Sequence, residues 1–507
     1  MNRLILAGLV LITAHSFCFG SSLEKIPVGS WIYGAVDRLY TSGIFHDLHR
    51  SIRPYSRGDV ATGILNIRTE QSAGKISLAG WQGWILERLE DEFESEIRSL
   101  ESDGQLPQVV KLNPSANLRL DDSEGGPALG RGQFIAQAGW GWKDKVFAQT
   151  RGILDNRGED DPNFNAQPWK KGMTGMFDRG YISFRVRPLD FTFGRDYARW
   201  GPAGQGLLIS GNAPALDYLG FELGGGKFKF SYFTSRLDDI FVSDSAKFAR
   251  RYISGHRLNY RNKSGWEIGL SEIIVYGGVD RSLELFYLNP FLPFYVEQFN
   301  HNVDDNSLWN IEFALTFWKK KEFYGEILID DFQYDFVSEP HQLGFVLGTR
   351  LADFLGWQNS FWNLEYTRIG TFVYGQQQLW NRYTYNDVVL GHLFGSDFDM
   401  WRLSLEYFFL KDFTATLEGR YRRQGTMTAD SLYSSPLPDL PFPSGVVEKV
   451  WTAEAGVSFQ PDAHLMANIN FGYQDYKNFG HISGLNETNW NLSVQLDYNF
   501  WKEFWFK

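Results

Sequence analysis

The chain has 507 residues, of which 43% are hydrophobic, 21% charged and 17% aromatic, with 51 glycines. Its mean hydropathy of −0.30 dilutes apolar residues with polar ones, so beyond the N-terminus there is no run of about 20 apolar residues to cross a bilayer as a helix, and a helical membrane protein is excluded. With 49 Lys and Arg against 60 Asp and Glu the net charge is −11, which lacks the positive field of a nucleic-acid binder.

Arg3 followed by the apolar stretch Leu4 to Ile12 and the small residues Gly20, Ser21 and Ser22 predicts a signal peptide over residues 1–20. The sole cysteine, Cys18, lies within it, so the mature chain has no disulfide, thiolate metal site or cysteine nucleophile. His15-Ser16-Phe17 before Cys18 makes a poor lipobox.

Residues 21–106 have helical texture. Ser30 can cap a helix through Trp31, Ala35, Val36 and Leu39, with Gly43 to stop it. A second helix is predicted from about Arg57 to Arg68. A third carries the stripe Trp84, Ile85, Leu89, Phe93, Ile97 and Leu100, with Glu87, Glu90, Asp91, Glu92, Glu94, Glu96 and Glu101 as a solvated face. Ile26 to Ile44 with Arg53 to Ala61 resembles one degenerate S-layer-homology repeat, a unit that in other proteins attaches to cell-wall polymer. A plain periplasmic plug or bundle is the competing expectation for these residues.

From Lys111 onward the period changes to 2. Trp490 to Phe500 alternates apolar and polar residues without a break, and the same pattern recurs in Phe413 to Tyr421, Trp451 to Phe459 and Leu465 to Tyr473. Tight turns are expected at Trp142 to Lys145, Arg187 to Asp190, Gly224 to Gly226, Trp318 to Lys321, Leu410 to Asp412 and Gln460 to Asp462. Long connections run from Asp155 to Met176, Trp200 to Ala215, Gly375 to Ser396 and Gln424 to Val446. Short and long connections in turn are the signature of a transmembrane barrel, and its interfacial girdles account for Trp140, Trp142, Trp318, Phe323, Tyr324, Tyr407, Phe408, Phe409, Trp501, Trp505 and Phe506. The fold class predicted is an all-β transmembrane barrel of about 18 antiparallel strands over residues 107–507, with a small N-terminal α-helical bundle.

Chemistry is sparse. The nine histidines form no HExxH or close metal-ligand trio, and no Gly-x-Ser-x-Gly elbow singles out a nucleophile. Asp304-Asp305 and Asp330-Asp331 are carboxylate pairs of a glycosidase type, although such pairs more often line a wet lumen or bind a loop arginine. No catalytic residue, metal or cofactor is expected. After Phe191 and Phe193, alternation sets Arg195 and Arg199 on the apolar side, so this strand must leave the membrane or turn inward, where the arginines meet acidic residues.

The distinctive stretches are Phe193 to Pro202, Gly206 to Pro214, Tyr287 to Pro290, Asp305 to Trp309 and Tyr324 to Phe332. Their order and spacing resemble the Wzi family of capsule-assembly proteins, above all in Arg195-x-x-x-Arg199-Trp200-Gly201-Pro202 and Asn212-Ala213-Pro214. The resemblance implies an outer-membrane barrel of a Gram-negative bacterium that acts without catalysis, as a lectin holding or organising capsular or exopolysaccharide at the cell surface. Candidate polysaccharide-binding or rim residues are Arg195, Asp196, Arg199, Trp200, Asn212, Asn289, Asp305, Asn306 and Trp309. The expected partners are surface polysaccharide and outer-membrane lipid, with polysaccharide export machinery as a further candidate and nucleic acid excluded. The competing function is a porin or solute channel, because a barrel of this width can enclose an aqueous pore.

Overall fold

The structure, a computed structural model, describes residues 22–101, 108–123, 128–161, 167, 169, 172–318, 320–331, 340–433, 439–500 and 502–506. The expected signal peptide, Cys18 and the domain boundary at residue 106 lie outside them, as do the side chains of Trp318, Trp501, Trp505 and Phe506.

The helical part follows its sequence signals closely at its start. The Ser30 hydroxyl accepts the Ile32 amide at 3.3 Å, α1 runs Trp31–Thr41, and the chain reverses at Gly43 with φ +77°. In the same way the Ser56 hydroxyl takes the Asp59 amide at 3.1 Å and opens α2, Arg57–Ser72. The expected third helix is instead two, α3 Gly80–Glu92 and α4 Glu94–Glu101, broken at Phe93. Arg57 lies 4.5 Å over the Phe93 ring and donates to the Glu92 carbonyl at 2.6 Å, an oxygen that a continuous helix would keep for its own ladder. Glu96 is not on a solvated face. It is buried and pairs with Arg57 at 2.6 Å and Lys111 at 3.2 Å.

Among the described residues eighteen strands, all antiparallel to their neighbours, close into a barrel. Closure is made by Gln108–Ser123, which pairs with Leu129–Trp142 on one side and with Asn486–Asn499 and its continuation Lys502–Phe506 on the other. Connections at one end are short, as between Trp142 and Val146, Val186 and Leu189, Leu410 and Phe413. At the other end lie the long ones, including Asp196 to Leu216, Val279 to Asn306 and Ile369 to Phe398. Alternation puts Leu308, Asn310, Glu312 and Ala314 inside while Ile311 and Phe317 face outward and are exposed, the apolar outer face that a bilayer requires. Trp140, Trp142, Trp266, Phe323 and Phe409 form the aromatic girdle of the short-turn end. Tyr324 and Phe408, expected there, are buried inside, since each is one residue out of phase with an outward neighbour.

The helices plug the short-turn end. Val36, Leu39, Ile64, Trp81, Leu89 and Phe93 share one core with Ala352, Phe361 and Phe408 of the wall, and Trp81 stacks on Phe408 with centroids 5.0 Å apart at 6°. The lumen above is filled unevenly. Ile253, Ile273, Val275, Leu308 and Leu328 point inward against Leu207, Leu208, Tyr374 and Tyr383 from two long connections, an apolar core on the same half of the wall as the buried Arg257, Asn310, Glu312 and Glu326. On the opposite half the inward side chains are polar and Asn470 and Asn491 are exposed. A cleft of about 480 Å³ lies at its lower end beside Trp31, Asn117 and Gln495.

Candidate functional site

The distinctive motif starts on the strand Leu189–Asp196 and then leaves the wall. Arg195, level with Asp217 on the next strand, faces outward above Phe193. It pairs with Asp217 at 2.5 Å and donates to the Phe177 carbonyl at 3.1 Å. Asp196 faces inward and is buried, bridging Arg179 with contacts of 2.6 and 3.1 Å. Beyond it the chain dives into the lumen. Arg199 and Trp200 form a two-residue antiparallel ladder with Arg53 and Ile52, and the Gly201 amide donates to the Ser51 carbonyl at 2.9 Å, which joins this loop to the helical plug.

Two wall carboxylates and one guanidinium hold the next turn by its backbone. Glu326 accepts the amides of Ala203 at 3.0 Å and Leu207 at 2.9 Å, Glu365 accepts that of Gly204 at 3.0 Å, and Arg350 donates to the Pro202 carbonyl at 2.6 Å. Gly201 has φ +111°, and a Cβ there would meet Glu326, so the Trp-Gly-Pro element is required by the clamp itself. Trp200 is buried and meets Phe233 edge-on at 5.5 Å.

Arg199 donates to the Ala203 carbonyl, and its Nε has no partner among the described residues. Burial, and then the neighbouring Arg53 guanidinium, bring it down to about 10. Asp37 stands in the same cluster, bonded to Arg53 at 2.9 Å and 3.5 Å from Arg50. Burial alone would raise its carboxyl, but those two guanidiniums outweigh burial and hold it at about 2.

The remaining candidates lie elsewhere. Asn212 is half-buried at the return of the plug loop, with its amide on the Ser210 hydroxyl at 3.0 Å. Asn289 is exposed and caps a turn by accepting the Phe291 amide at 3.1 Å. Asp305 is buried between Arg281 and the Tyr287 hydroxyl, the latter at 2.8 Å. Asn306 is buried and donates to the Asn381 carbonyl at 2.9 Å. Trp309 is out of phase with Leu308 and Asn310 and shares the outward face with Ile311. The fold thus gathers Asp196, Arg199, Trp200 and Asn212 around one loop and separates them from Asn289 and Trp309 on the outer wall.

Residues that sequence reasoning passed over complete the site. Tyr374 and Tyr383 stack at 5.8 Å and donate to the carbonyls of Leu207 at 2.6 Å and Leu208 at 3.0 Å, locking one long connection onto the other. At the long-loop end the same segment presents exposed Gln377, Gln378 and Asp387 with half-buried Trp380, Tyr385 and Asn386. The run Gln376-Gln377-Gln378 before Trp380 was a readable signal for this surface. Amides that bond hydroxyls beside aromatic faces that stack on apolar sugar faces suit a hydroxyl-rich ligand. No group of three or more His, Cys, Asp or Glu able to hold a metal occurs among the described residues. Asp330 accepts the Tyr374 amide, so that carboxylate holds a loop.

The family described as capsule assembly protein Wzi matches residues 130–490. Among solved structures, Wzi of Escherichia coli, described as an outer membrane protein involved in group 1 capsule assembly and a carbohydrate-binding β-barrel, aligns with a TM-score of 0.61 at 14% identity over 94% of this chain and 99% of that one. The outer membrane protein OpdK of Pseudomonas aeruginosa gives 0.44 at 11% identity over 78% and 99%. OccD3 of the same organism gives 0.45 at 8% over 77% and 91%. No curated protein matches the chain.

Proposed function

The chain belongs to the Wzi family of capsule assembly proteins, and on that premise we propose that it is an exported, non-enzymatic outer-membrane lectin that holds capsular or exopolysaccharide at the cell surface. The observation that carries this reading is the clamp on the plug loop. Glu326, Glu365, Arg350, Tyr374 and Tyr383 spend their polar groups on fixing a loop inside the lumen, which fills half of the barrel and makes its long-loop end a rigid platform. A rigid platform bearing Gln377, Gln378, Asn386, Trp380 and Tyr385 binds a repeating chain at modest cost in ordering, and many weak contacts along such a chain add up through avidity. Of the residues singled out by sequence, Asp196, Arg199 and Trp200 support this platform through the plug loop, and Asn212 lies half-buried at that loop's return. Polysaccharide export machinery fits the reading as a partner that delivers the polymer.

The test is a deletion strain and its complement, with cell-bound and released polysaccharide measured in each. Release into the medium with synthesis intact is expected, and normal cell-bound polysaccharide sinks the lectin reading. The second reading, a solute channel, has one observation in its favour, the solvated wall that carries Asn470 and Asn491. Steady open conductance in planar bilayers, with impaired uptake of a small solute in the deletion strain, is the result that promotes it.

A further inference from the structure

The connection between the strands Trp266–Val279 and Asn306–Trp318 does not rise away from the barrel. It folds back down over the outer wall. Glu272, Ile274 and Tyr276 alternate with inward Ile273 and Val275 and therefore point outward, yet all three are buried, as are Tyr232, Tyr252 and Ser254 on the neighbouring strands. What covers them is the connection itself. Phe294, at the start of the short helix α5 Phe294–Asn300, stacks on His256 at 4.4 Å, Phe291 stacks on Phe230 at 5.5 Å, and Tyr287 lies 4.7 Å from Tyr276. Glu272 accepts the amides of Phe294 at 3.0 Å and Tyr295 at 2.7 Å and the Ser307 hydroxyl at 3.2 Å, and it meets His256 Nε2 at 3.0 Å. Arg281 and the Tyr287 hydroxyl, both on Asp305, tie the two ends of the connection together.

Depth gives this cover its meaning. Trp266 belongs to the girdle of the short-turn end, and Glu272 lies six residues further along the same strand. At a rise of about 3.4 Å per residue and a tilt of about 40°, that is roughly 15 Å up an apolar band about 25 Å tall. An outward carboxylate and imidazole at that height would face acyl chains, where a charged group on the lipid face is destabilising unless protein covers it. The connection supplies that cover. On its far side it exposes Leu285, Phe291, Val296 and Phe299, continuous with the outward Phe228, Leu258 and Leu270 of the wall.

We propose that residues 281–303 form a flap against the outer wall whose exposed Leu285, Phe291, Val296 and Phe299 contact the acyl chains of the outer leaflet, with its exposed Asn289, Asn300, His301 and Asn302 at the headgroup level. The partner is the lipid surface, and the polar patch around Glu272 is a sealed seam in the membrane wall. This inference rests on the membrane-spanning barrel and not on sugar binding, so either can fail alone.

The test places an environment-sensitive bimane on Phe299→Cys, and separately on Phe291→Cys, in the full chain carrying Cys18→Ser. The protein is reconstituted in vesicles of phosphatidylcholine with phosphatidylglycerol, and heat-modifiable migration confirms that each variant is folded. Labels on Leu270→Cys and Asp387→Cys mark the lipid and water limits. Quenching of the flap label by brominated acyl chains, several-fold stronger than at Asp387→Cys, with iodide quenching as weak as at Leu270→Cys, is expected. Strong iodide quenching without bromolipid quenching overturns the proposal. So does protection from both quenchers that disappears on dilution of protein into lipid, because a second copy of the chain would then be the occupant.

Discussion

Gly201 sits directly against Glu326: a Cβ added to this glycine would run into Glu326 Oε1, while that same carboxylate accepts the amides of Ala203 and Leu207. The contact makes one position of the plug loop depend on one side chain of the wall. Gly201→Ala forces a non-glycine residue to φ +111° and moves the carboxylate, so a loss of about 2–4 kcal/mol is expected in urea unfolding of the detergent-folded protein. Faster hydrogen exchange should be confined to the amides of Ala203, Gly204 and Leu207, and unchanged protection there would show that the clamp does not hold the loop.

Arg179 and Asp196 form a fully buried pair next to that loop. Truncating one partner leaves the other charge uncompensated, so Asp196→Ala should destabilise the barrel by about 3–5 kcal/mol. Replacing both residues by apolar ones of similar volume should cost much less. A double-mutant cycle by chemical denaturation reads the difference, and equal losses in the single and double variants would count against the pairing.

The Asp37 carboxyl, held at about 2 against an ordinary 3.8, is a folded-state value below the unfolded one. Its stabilising contribution is therefore present in full above about pH 4 and is lost as the pH falls toward 2, a change of about 2 kcal/mol. His49 is brought down to about 3, first by burial and then by Lys229 and Arg261, so it folds neutral and its contribution fades as the pH falls from 6.5 toward 3. Asp37→Asn should remove the lower step and keep the upper one when melting of the helical part is followed between pH 7 and 2.

Trp81 joins the helical plug to the wall through its stack on Phe408 and donates its indole N–H to Asp353 at 3.2 Å. Trp81→Ala should cost about 3–5 kcal/mol in the plug and leave the strands intact. Limited proteolysis that releases fragments from residues 22–101 while the barrel keeps its heat-modifiable migration is the expected outcome. Parallel loss of both would mean that plug and barrel fold as one unit.

The barrel was legible in the chain because strand alternation is a local property: the tight turns near Lys143, Lys320 and Lys411 and the amphipathic strands beside them require only neighbours in sequence. The start of α1 was legible for the same reason, since its capping serine acts within two residues. What the sequence left open is what lies inside. The polar phase of a strand and the apolar phase of a plugged lumen look alike until one knows which loop returns to fill it, so Tyr324 and Phe408 were read as girdle, and the motif from Arg195 to Pro202 was left between the outer rim and an inward turn.

Only the closed barrel brings Glu326, Glu365 and Arg350 to the backbone of residues more than 100 positions away, and seats Arg199 and Trp200 in the loop that this clamp holds. The break of the third helix at Phe93 and the burial of Glu96 were decided in the same way, by Arg57 and Lys111 approaching from other elements. Sequence by itself determined the period, the turns and the caps, because those energies are settled within a few residues. The tertiary structure decided which polar groups are spent on the protein itself, because a buried hydrogen bond is fixed by the partner that closure of the barrel brings to it.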